Sequence, residues 1–88
     1  MIVTFEKSFS KSLDKINNKL ILKKIEEAIV NCENSNKLSE IKYLKKLKGH
    51  KTYYRIKLND YRVGVEIINN EINFIIACHR KDIYKLFP

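Results

Sequence analysis

Apolar residues alternate with other residues over positions 54–78, YRIKLNDYRVGVEIINNEINFIIAC. A period of two predicts β-strands whose side chains point alternately to the two faces of a sheet. The pairs Asn59-Asp60 and Asn69-Asn70 interrupt the alternation, and both residue types are common in tight turns. The segment therefore predicts three antiparallel strands connected as a meander.

The first turn fixes which residues of the first two strands lie opposite each other. If the turn has two residues, Lys57 lies directly opposite Arg62, and Arg55 lies on the same face opposite Gly64. Like charges in such a pair destabilise a sheet by roughly a few tenths of a kcal/mol or more. A bound phosphate would supply the missing negative charge, so this face is a candidate anion site.

The third strand is expected to border the same cluster. A second two-residue turn would set Ala77 beside Arg62 and Ile75 beside Gly64. Gly64 and Ala77 are the smallest residues of the predicted sheet, so they would leave room for a ligand next to the charges. The core-facing set in this strand would be Ile72, Phe74, Ile76 and Cys78.

The rest of the chain predicts helices around this meander. Residues 2–5 form a short apolar strand, an amphipathic helix runs from about Lys7 to Asn17, and a second helix ends near Asn34. Residues 35–52 are ambiguous between a third helix and a loop with short pieces of structure. Asp82 is expected to cap a short final turn or helix. The expected fold is one α+β domain over residues 1–88, β-α-α-β-β-β, with an antiparallel meander packed on a helical hairpin.

Arginine is used sparingly in this chain. There are fifteen lysines but only three arginines, and Arg55, Arg62 and Arg80 all lie in the strand-rich second half. The guanidinium is a planar, permanently charged group that binds phosphate bidentately, whereas the lysine ammonium is a point charge. Ordinary surface ion pairs are the alternative explanation, but the predicted proximity of the three arginines favours a phosphate-binding site.

The positive charge is concentrated in the same part of the chain. The net charge is +8; residues 34–88 contain twelve basic and five acidic residues, whereas residues 1–33 contain six and five. This asymmetry indicates a polyanionic partner, nucleic acid before a membrane surface. The residues expected to contact RNA are Lys45, Lys46, Lys48, Lys51 and Tyr53.

Several classes of site are disfavoured by the composition. No cluster of Asp and Glu suits a two-metal nuclease, and His50 and His79 lack the spacing of a zinc site. The two glycines form no phosphate-binding loop. Cys32 and Cys78 stand alone in apolar patterns, which indicates reduced core residues of a cytoplasmic protein. Neither a signal peptide nor a membrane-spanning run is visible, and no metal or cofactor is expected.

RNA cleavage requires none of these groups. The 2′-OH of RNA attacks the adjacent phosphate when a base, an acid and cations for the developing charge are present. Arginine and lysine supply the cations. A lysine crowded by arginines, Tyr84 or His79 are candidates for proton transfer, although His79 is equally consistent with an ordinary surface histidine.

Two segments, residues 54–67 (YRIKLNDYRVGVEI) and 79–84 (HRKDIY), resemble the RelE/ParE superfamily of bacterial toxins from toxin–antitoxin operons. Residues 44–49, LKKLKG, resemble the lead-in of that family to its first meander strand. The resemblance implies a ribosome-dependent mRNA endonuclease in the RelE branch and a DNA gyrase poison in the ParE branch. RelE-type sites use basic residues on the central strands, an arginine ending the last strand and a C-terminal tyrosine. Here these are Arg55, Lys57, Arg62, Arg80 and Tyr84.

This resemblance sets the functional expectation. We expect a toxin that acts as a metal-independent endoribonuclease on mRNA in the ribosomal A site, with a cognate antitoxin, the ribosome and mRNA as partners. A gyrase-directed toxin is the second hypothesis, since ParE-type proteins generally lack the full set of site residues. A non-enzymatic RNA- or ribosome-binding domain is the third. Arg55 stands where RelE favours lysine and is a poor general base, so the base and acid stay open.

Overall fold

The predicted meander forms the centre of a five-stranded sheet in the computed structural model, which describes residues 1–88. The strands are β1 Ile2–Phe5, β2 Leu44–Lys46, β3 Tyr53–Leu58, β4 Tyr61–Ile68 and β5 Glu71–His79. Their order is β1-β5-β4-β3-β2, with β1 parallel to β5 and all other neighbours antiparallel. The α+β fold class is confirmed, and β2 is an additional edge strand that the sequence pattern did not predict.

Both predicted helices of the hairpin are present, and a third helix is one turn long. The helices are α1 Lys7–Leu13, α2 Lys19–Asn34 and α3 Ile83–Leu86. The prediction that α1 reaches Asn17 was wrong, because the backbone tightens after Leu13, whose carbonyl accepts the Ile16 amide at 3.0 Å. Ile16 is nevertheless buried. The end of α2 at Asn34 is confirmed, and the Asn18 side chain caps its start by accepting two backbone amides.

Residues 35–52 form a loop with short pieces of structure, which was one of the two predicted alternatives. The segment contains a single 3₁₀ turn, Leu38–Glu40, and then β2. The third helix considered for this segment is therefore absent. The longest helix of the structure, α2, has 16 residues, and no helix is both long and apolar enough to cross a membrane.

The last helix, α3, begins directly after Asp82 but is not capped by its side chain, contrary to the prediction. Instead the Asp82 backbone carbonyl accepts the amides of Lys85 and Leu86 at 3.0 and 3.1 Å. One turn of helix has too few internal hydrogen bonds to be stable alone. The position of α3 therefore depends on how its side chains pack against the sheet.

Two-residue turns connect the strands of the meander, as predicted. Ile68 pairs with Glu71 across one turn, and Leu58 pairs with Tyr61 across the other. The first residue of each turn is an asparagine with a φ of +55°. Asparagine enters this left-handed region more readily than most residues with a side chain, which explains why the turns fall at these positions.

A β-bulge in β5 changes the predicted pairing with β4. Val65 pairs with Phe74 but Gly64 pairs with Ile76, so Ile75 is an extra residue in β5. Arg62 consequently pairs with Cys78, and the predicted neighbours Ala77 for Arg62 and Ile75 for Gly64 were wrong. An extra residue also exchanges the two faces of the strand. Beyond the bulge, the residue that faces the main core is Ala77.

The two faces of the sheet carry separate apolar clusters. The main core lies between the sheet and helices α1 and α2, where the rings of Phe9 and Phe74 meet edge to face at 5.3 Å. A smaller cluster of Leu47, Ile83 and Phe87 lies apart from it. The half-buried Tyr53, Ile75, Ile76 and Cys78 pack against this smaller cluster.

Neither cysteine forms a disulfide. Cys32 is fully buried in the main core, as predicted. Cys78 is half-buried against the smaller cluster, because the bulge turns it away from the main core. Burial raises the pKa of each thiol to about 11, so both groups stay protonated and weakly nucleophilic at neutral pH.

Two serines of α1 complete the hydrogen bonding of β5 beyond the end of β1. β1 pairs with β5 only as far as Phe74. The Ser8 hydroxyl donates to the Ile75 carbonyl at 2.6 Å, and the buried Ser12 hydroxyl accepts the Ala77 amide at 2.9 Å. Ser12 also donates to the carbonyl of Phe9 at 2.7 Å. Helix α1 therefore satisfies backbone groups that the short first strand does not reach.

We expect Ser12→Ala to destabilise the protein because it leaves the buried amide of Ala77 without an acceptor. An unsatisfied buried donor costs about 1–3 kcal/mol. Denaturant unfolding of the variant measures this loss. Ser10→Ala, on the exposed side of the same helix, is the control and should change stability by less than about 0.5 kcal/mol. Equal stability of the two variants would contradict the role given to Ser12.

Candidate phosphate-binding site

Basic side chains from three neighbouring strands share one face of the sheet. Lys57 lies opposite Arg62 and Arg55 lies opposite Gly64, which confirms the predicted pairing of β3 with β4. On the other side of β3, Arg55 pairs with Lys45 of β2. We call Lys45, Arg55, Lys57 and Arg62 the cation cluster. Its members are adjacent across the sheet, so each raises the electrostatic energy of the others.

Arg62 is held in place by backbone carbonyls. Its Nη1 atom donates to the carbonyl oxygens of Asn59 and Tyr61, at 2.8 and 2.9 Å. Both acceptors are at the β3–β4 turn, and the side chain is half-buried. The guanidinium makes no other hydrogen bond within the chain, which leaves its remaining N–H groups free to bind an anion.

The surroundings of Arg62 disfavour its charge. Burial, followed by the positive charges of Arg55 and Arg80, lowers the pKa of Arg62, whereas Tyr84 and Asp60 oppose this lowering. Arginine is nonetheless cationic at any physiological pH. The lowering of the pKa therefore reflects burial first and repulsion by Arg55 and Arg80 second.

Arg80 follows β5 and lies beside the β3–β4 turn. Its backbone amide donates to the Asp60 carbonyl at 2.7 Å. Its Nε atom is 3.9 Å from the Asp60 carboxylate, and both side chains are more than half exposed, at 59% and 70%. Exposed pairs at such a distance contribute little. This is the one ion pair within 4 Å in the structure, so the cation cluster itself has no carboxylate partner.

A cleft of about 540 Å³ joins the cation cluster to α3. Lys45 and Arg55 of the cluster line it, whereas Lys57 and Arg62 do not. Tyr84 of α3 also lines it and is 76% exposed. The loop around β2 adds further positive charge to its walls. The complete lining is Lys45, Lys46, Leu47, Lys48, His50, Arg55, Tyr84, Phe87 and Pro88.

The space predicted next to the cluster is not open. Ala77 lies on the opposite, core-facing side because of the bulge in β5. Gly64 is covered by the ring of Phe87, whose carbon atoms lie 2.7–2.9 Å from the position of a Cβ built on this glycine. A ligand on this face must therefore approach along the cleft, beside Phe87 rather than over Gly64.

His79 is not brought to the cluster. It pairs with Tyr61, which precedes Arg62 and therefore points to the other face. The two aromatic rings meet at 5.5 Å, and the Nδ1 atom of His79 accepts the Lys81 amide at 3.2 Å. The bulge explains this placement, since without it His79 would share the face of Arg62.

The residues predicted to contact RNA are divided between the cleft and its surroundings. Lys45, Lys46 and Lys48 line the cleft, and Lys51 lies in the exposed loop before β3 without lining it. The ring of Tyr53 is half-buried, 5.3 Å from Phe87 and 5.7 Å from His50, edge to face with both. Tyr53 therefore packs against two residues that line the cleft but does not line it itself.

Four residues that line the cleft were not predicted from the sequence: Leu47, His50, Phe87 and Pro88. His50 was considered only as a zinc ligand, although it lies in the basic segment that connects β2 to β3. Phe87 was treated as a residue of the last turn. Its spacing from Ile83, four positions with Tyr84 between them, is a signal that these two apolar side chains anchor the turn that carries Tyr84.

Comparison with known proteins identifies the family. A sequence model of the family described as "ParE toxin of type II toxin-antitoxin system, parDE" matches residues 3–84. Over 89 aligned positions the chain is 43% identical to Toxin RelE3 of Methanocaldococcus jannaschii, with 100% of both chains covered. The chain belongs to the RelE/ParE toxin superfamily. It is thus a RelE-like toxin of a type II toxin–antitoxin system.

Solved structures of the superfamily share the fold. The crystal structure of the RelB–RelE antitoxin–toxin complex from Methanococcus jannaschii contains a chain that matches with a TM-score of 0.82 and 40% identity, over 97% of this chain and 99% of that one. The YoeB dimer of Staphylococcus aureus matches with a TM-score of 0.70 and 23% identity, over 90% and 94%. At this lower identity the likeness concerns the fold alone.

Proposed function

We propose that this toxin is a metal-independent endoribonuclease that cleaves mRNA in the ribosomal A site. The observation that carries the proposal is the cation cluster: four basic side chains on adjacent strands, with no carboxylate paired to them. Such a face is electrostatically unfavourable alone and becomes favourable when a phosphodiester binds. The kinship with RelE-type proteins supports RNA as the source of that phosphodiester.

The proposed reaction uses the substrate's own nucleophile. The 2′-OH attacks the adjacent phosphorus in line, the bond to the 5′-oxygen breaks, and the products carry a 2′,3′-cyclic phosphate and a 5′-OH. Arg55, Arg62 and Arg80 stabilise the charge that grows on the non-bridging oxygens. Lys57 and Tyr84 are the candidates for taking the proton from the 2′-OH and delivering one to the leaving oxygen. His79 has no role in this proposal.

A need for the ribosome follows from the limited set of acid–base groups. The lining of the cleft contains a tyrosine and a histidine but no Asp or Glu side chain, so proton transfer alone gives a modest acceleration. Holding the mRNA in the in-line geometry contributes several kcal/mol when a second body does it. The exposed lysines around β2 suit docking on ribosomal RNA, which implies strong dependence on salt concentration.

The proposed partners follow from the same family. We infer a cognate antitoxin, because RelE of the Methanococcus jannaschii complex is bound to RelB. An antitoxin that carries acidic or amphipathic segments would complement a chain of net charge +8. The ribosome and mRNA are the other partners, and action on ribosomes implies a cytoplasmic location. No small-molecule cofactor is required.

A gyrase-directed toxin is the second candidate. Its specific support is the matching family model, whose description names the ParE toxin. Such a toxin does not require Arg55, Lys57, Arg62, Arg80 and Tyr84 together. The presence of all five, with arginines and tyrosine close enough to influence Arg62, favours the ribonuclease. A binding domain without catalysis would use the same charges for phosphate contacts alone.

We expect the purified protein to cleave mRNA on programmed ribosomes at a defined position of the A-site codon, and to cleave the same RNA poorly when it is free. Primer extension on both samples measures this. The lack of a strong general base on the cleft is the physical reason. Comparable cleavage of free RNA would contradict ribosome dependence. Intact mRNA together with gyrase-dependent DNA breaks would support the second candidate instead.

Replacing Arg62 should separate the contribution of charge from that of the guanidinium. We expect Arg62→Ala to slow single-turnover cleavage about a hundredfold or more, the usual cost of removing a transition-state donor. Arg62→Lys keeps the charge but loses bidentate binding, so its rate should fall between alanine and wild type.

The stability of these variants is the second measurement. Arg62→Ala loses two hydrogen bonds but also relieves repulsion, so the free energy of unfolding should change by less than about 1 kcal/mol. Lys23→Ala, on the exposed side of α2, is the control and should cleave normally. Wild-type rates for Arg62→Ala would refute a catalytic role for Arg62, and wild-type rates for Arg62→Lys would reduce that role to charge.

A further inference from the structure

The ring of Phe87 is seated on the backbone of β4 at Gly64. Built as alanine, this glycine would place its Cβ 2.7 Å from Cγ of Phe87, 2.8 Å from Cδ2 and 2.9 Å from Cδ1. Real Cβ contacts are not found at such distances, so the ring would have to move. The backbone of Gly64 is not in the left-handed region. Glycine is therefore required here for space rather than for conformation.

The position of the Phe87 ring on Gly64, which we call the Phe87 seat, is enclosed mainly by apolar groups. Phe87 is 2% exposed and packs with Leu47 and Ile83. The ring of Tyr53 meets it edge to face at 5.3 Å. The β5 bulge supplies further walls, because it turns Ile76 to this face directly beside Gly64.

The Phe87 seat borders the cation cluster. Gly64 pairs with Arg55 and is two residues beyond Arg62 on the same face of β4. A ring held at Gly64 thus lies on the same face as both arginines, and Phe87 and Arg55 line the same cleft.

Tyr84 depends on this seat for its own position. Its side chain is 76% exposed and makes no hydrogen bond within the chain. It belongs to α3, a single turn that cannot be stable alone. The turn is held by the buried side chains of Ile83 and Phe87, and the Phe87 amide donates to the Ile83 carbonyl at 2.8 Å. Tyr84 lies between these two anchors in sequence.

We propose that Phe87 and Gly64 form a positioning pair that sets the distance of the Tyr84 hydroxyl from the arginines of the cation cluster. The pair has no chemical step of its own and acts on Tyr84 through α3. This inference rests on the proposed ribonuclease function for its kinetic readout. The structural part of the proposal, that displacing the Phe87 ring displaces Tyr84, can be tested without an activity assay.

Gly64→Ala tests the pair directly, because the added methyl group occupies the place of the ring. We expect kcat on programmed ribosomes to fall by up to about a hundredfold, the effect of an ångström-scale misplacement. KM should stay within about twofold of wild type, since Lys45, Arg55 and Arg62 still bind phosphate. A variant that lost only stability would unfold at lower temperature without this split between kcat and KM.

Phe87→Leu provides the second variant and the rescue. Alone it keeps an apolar anchor but loses the flat ring, so it should lower kcat less than Gly64→Ala does. Combined with Gly64→Ala, the smaller side chain makes room for the new methyl group. The double variant should therefore be more active than Gly64→Ala alone, a non-additive result expected of groups in contact. Strictly additive losses in kcat would overturn the proposal.

Leu86→Ala is the matched control on the same turn. Leu86 is 57% exposed and lies outside the cluster of Leu47, Ile83 and Phe87. Its truncation should leave kcat and KM unchanged. A loss of kcat as large as that of Gly64→Ala would show that any change in α3 suffices and would overturn the specific role of the seat.

Nuclear magnetic resonance separates failure of this inference from failure of the proposed function. In the wild type, inorganic phosphate should shift the Arg62 Nε–H and Tyr84 ring signals together; in Gly64→Ala it should shift only Arg62. Joint shifts in both proteins would overturn the pair even if cleavage is observed. If the wild type cleaves no mRNA, the ribonuclease function fails, and the positional claim is decided by these shifts alone.

Discussion

The single extra residue in β5 is the constraint on which the site depends. Because Ile75 is inserted between the partners of Val65 and Gly64, the two faces of β5 exchange after Phe74. Ala77 then turns to the core, where Ser12 accepts its amide, and Ile76 and Cys78 turn to the other face and help to enclose the ring of Phe87. The same exchange moves His79 away from Arg62. A regular ladder would instead place Ala77 beside Arg62 and His79 on the face of the cation cluster.

The members of the cation cluster are adjacent on the sheet and repel one another, and Arg62 is fixed among them by two carbonyls at a tight turn. The repulsion that remains is visible in the lowered pKa of Arg62, which burial and the neighbouring arginines cause. The one ion pair of the chain is weak and exposed, so no carboxylate of the protein neutralises the cation cluster. A bound anion would neutralise it. The contact of Phe87 with Gly64 places α3, and with it Tyr84, beside the cation cluster. In β4, Arg62 thus contributes to the proposed phosphate site and Gly64 to the position of Tyr84.

The sequence predicted the parts of the fold that depend on strong local signals. The pairing of Lys57 with Arg62 followed from clean alternation and a two-residue turn, and α2 followed from its apolar stripe. The bulge was not predictable, because β5 is apolar at four successive positions, Ile75 to Cys78, so its pattern fits either face. Strand β2 has only three residues and no period to detect. Arg80 was predicted from the sparing use of arginine, and Tyr84 as a candidate for proton transfer; the resemblance to RelE added their places in the site. Phe87 was missed because its partner is a glycine.

Phosphate binding by the cation cluster is tested most directly by thermal unfolding at constant ionic strength. Wild type and Arg62→Ala are compared as inorganic phosphate replaces sodium chloride. A ligand that binds only the native state raises stability with its concentration, whereas simple screening depends on ionic strength alone. We expect the Tm of the wild type to rise with phosphate and the Tm of Arg62→Ala to rise much less. Equal rises in both proteins, or no rise in either, would contradict it.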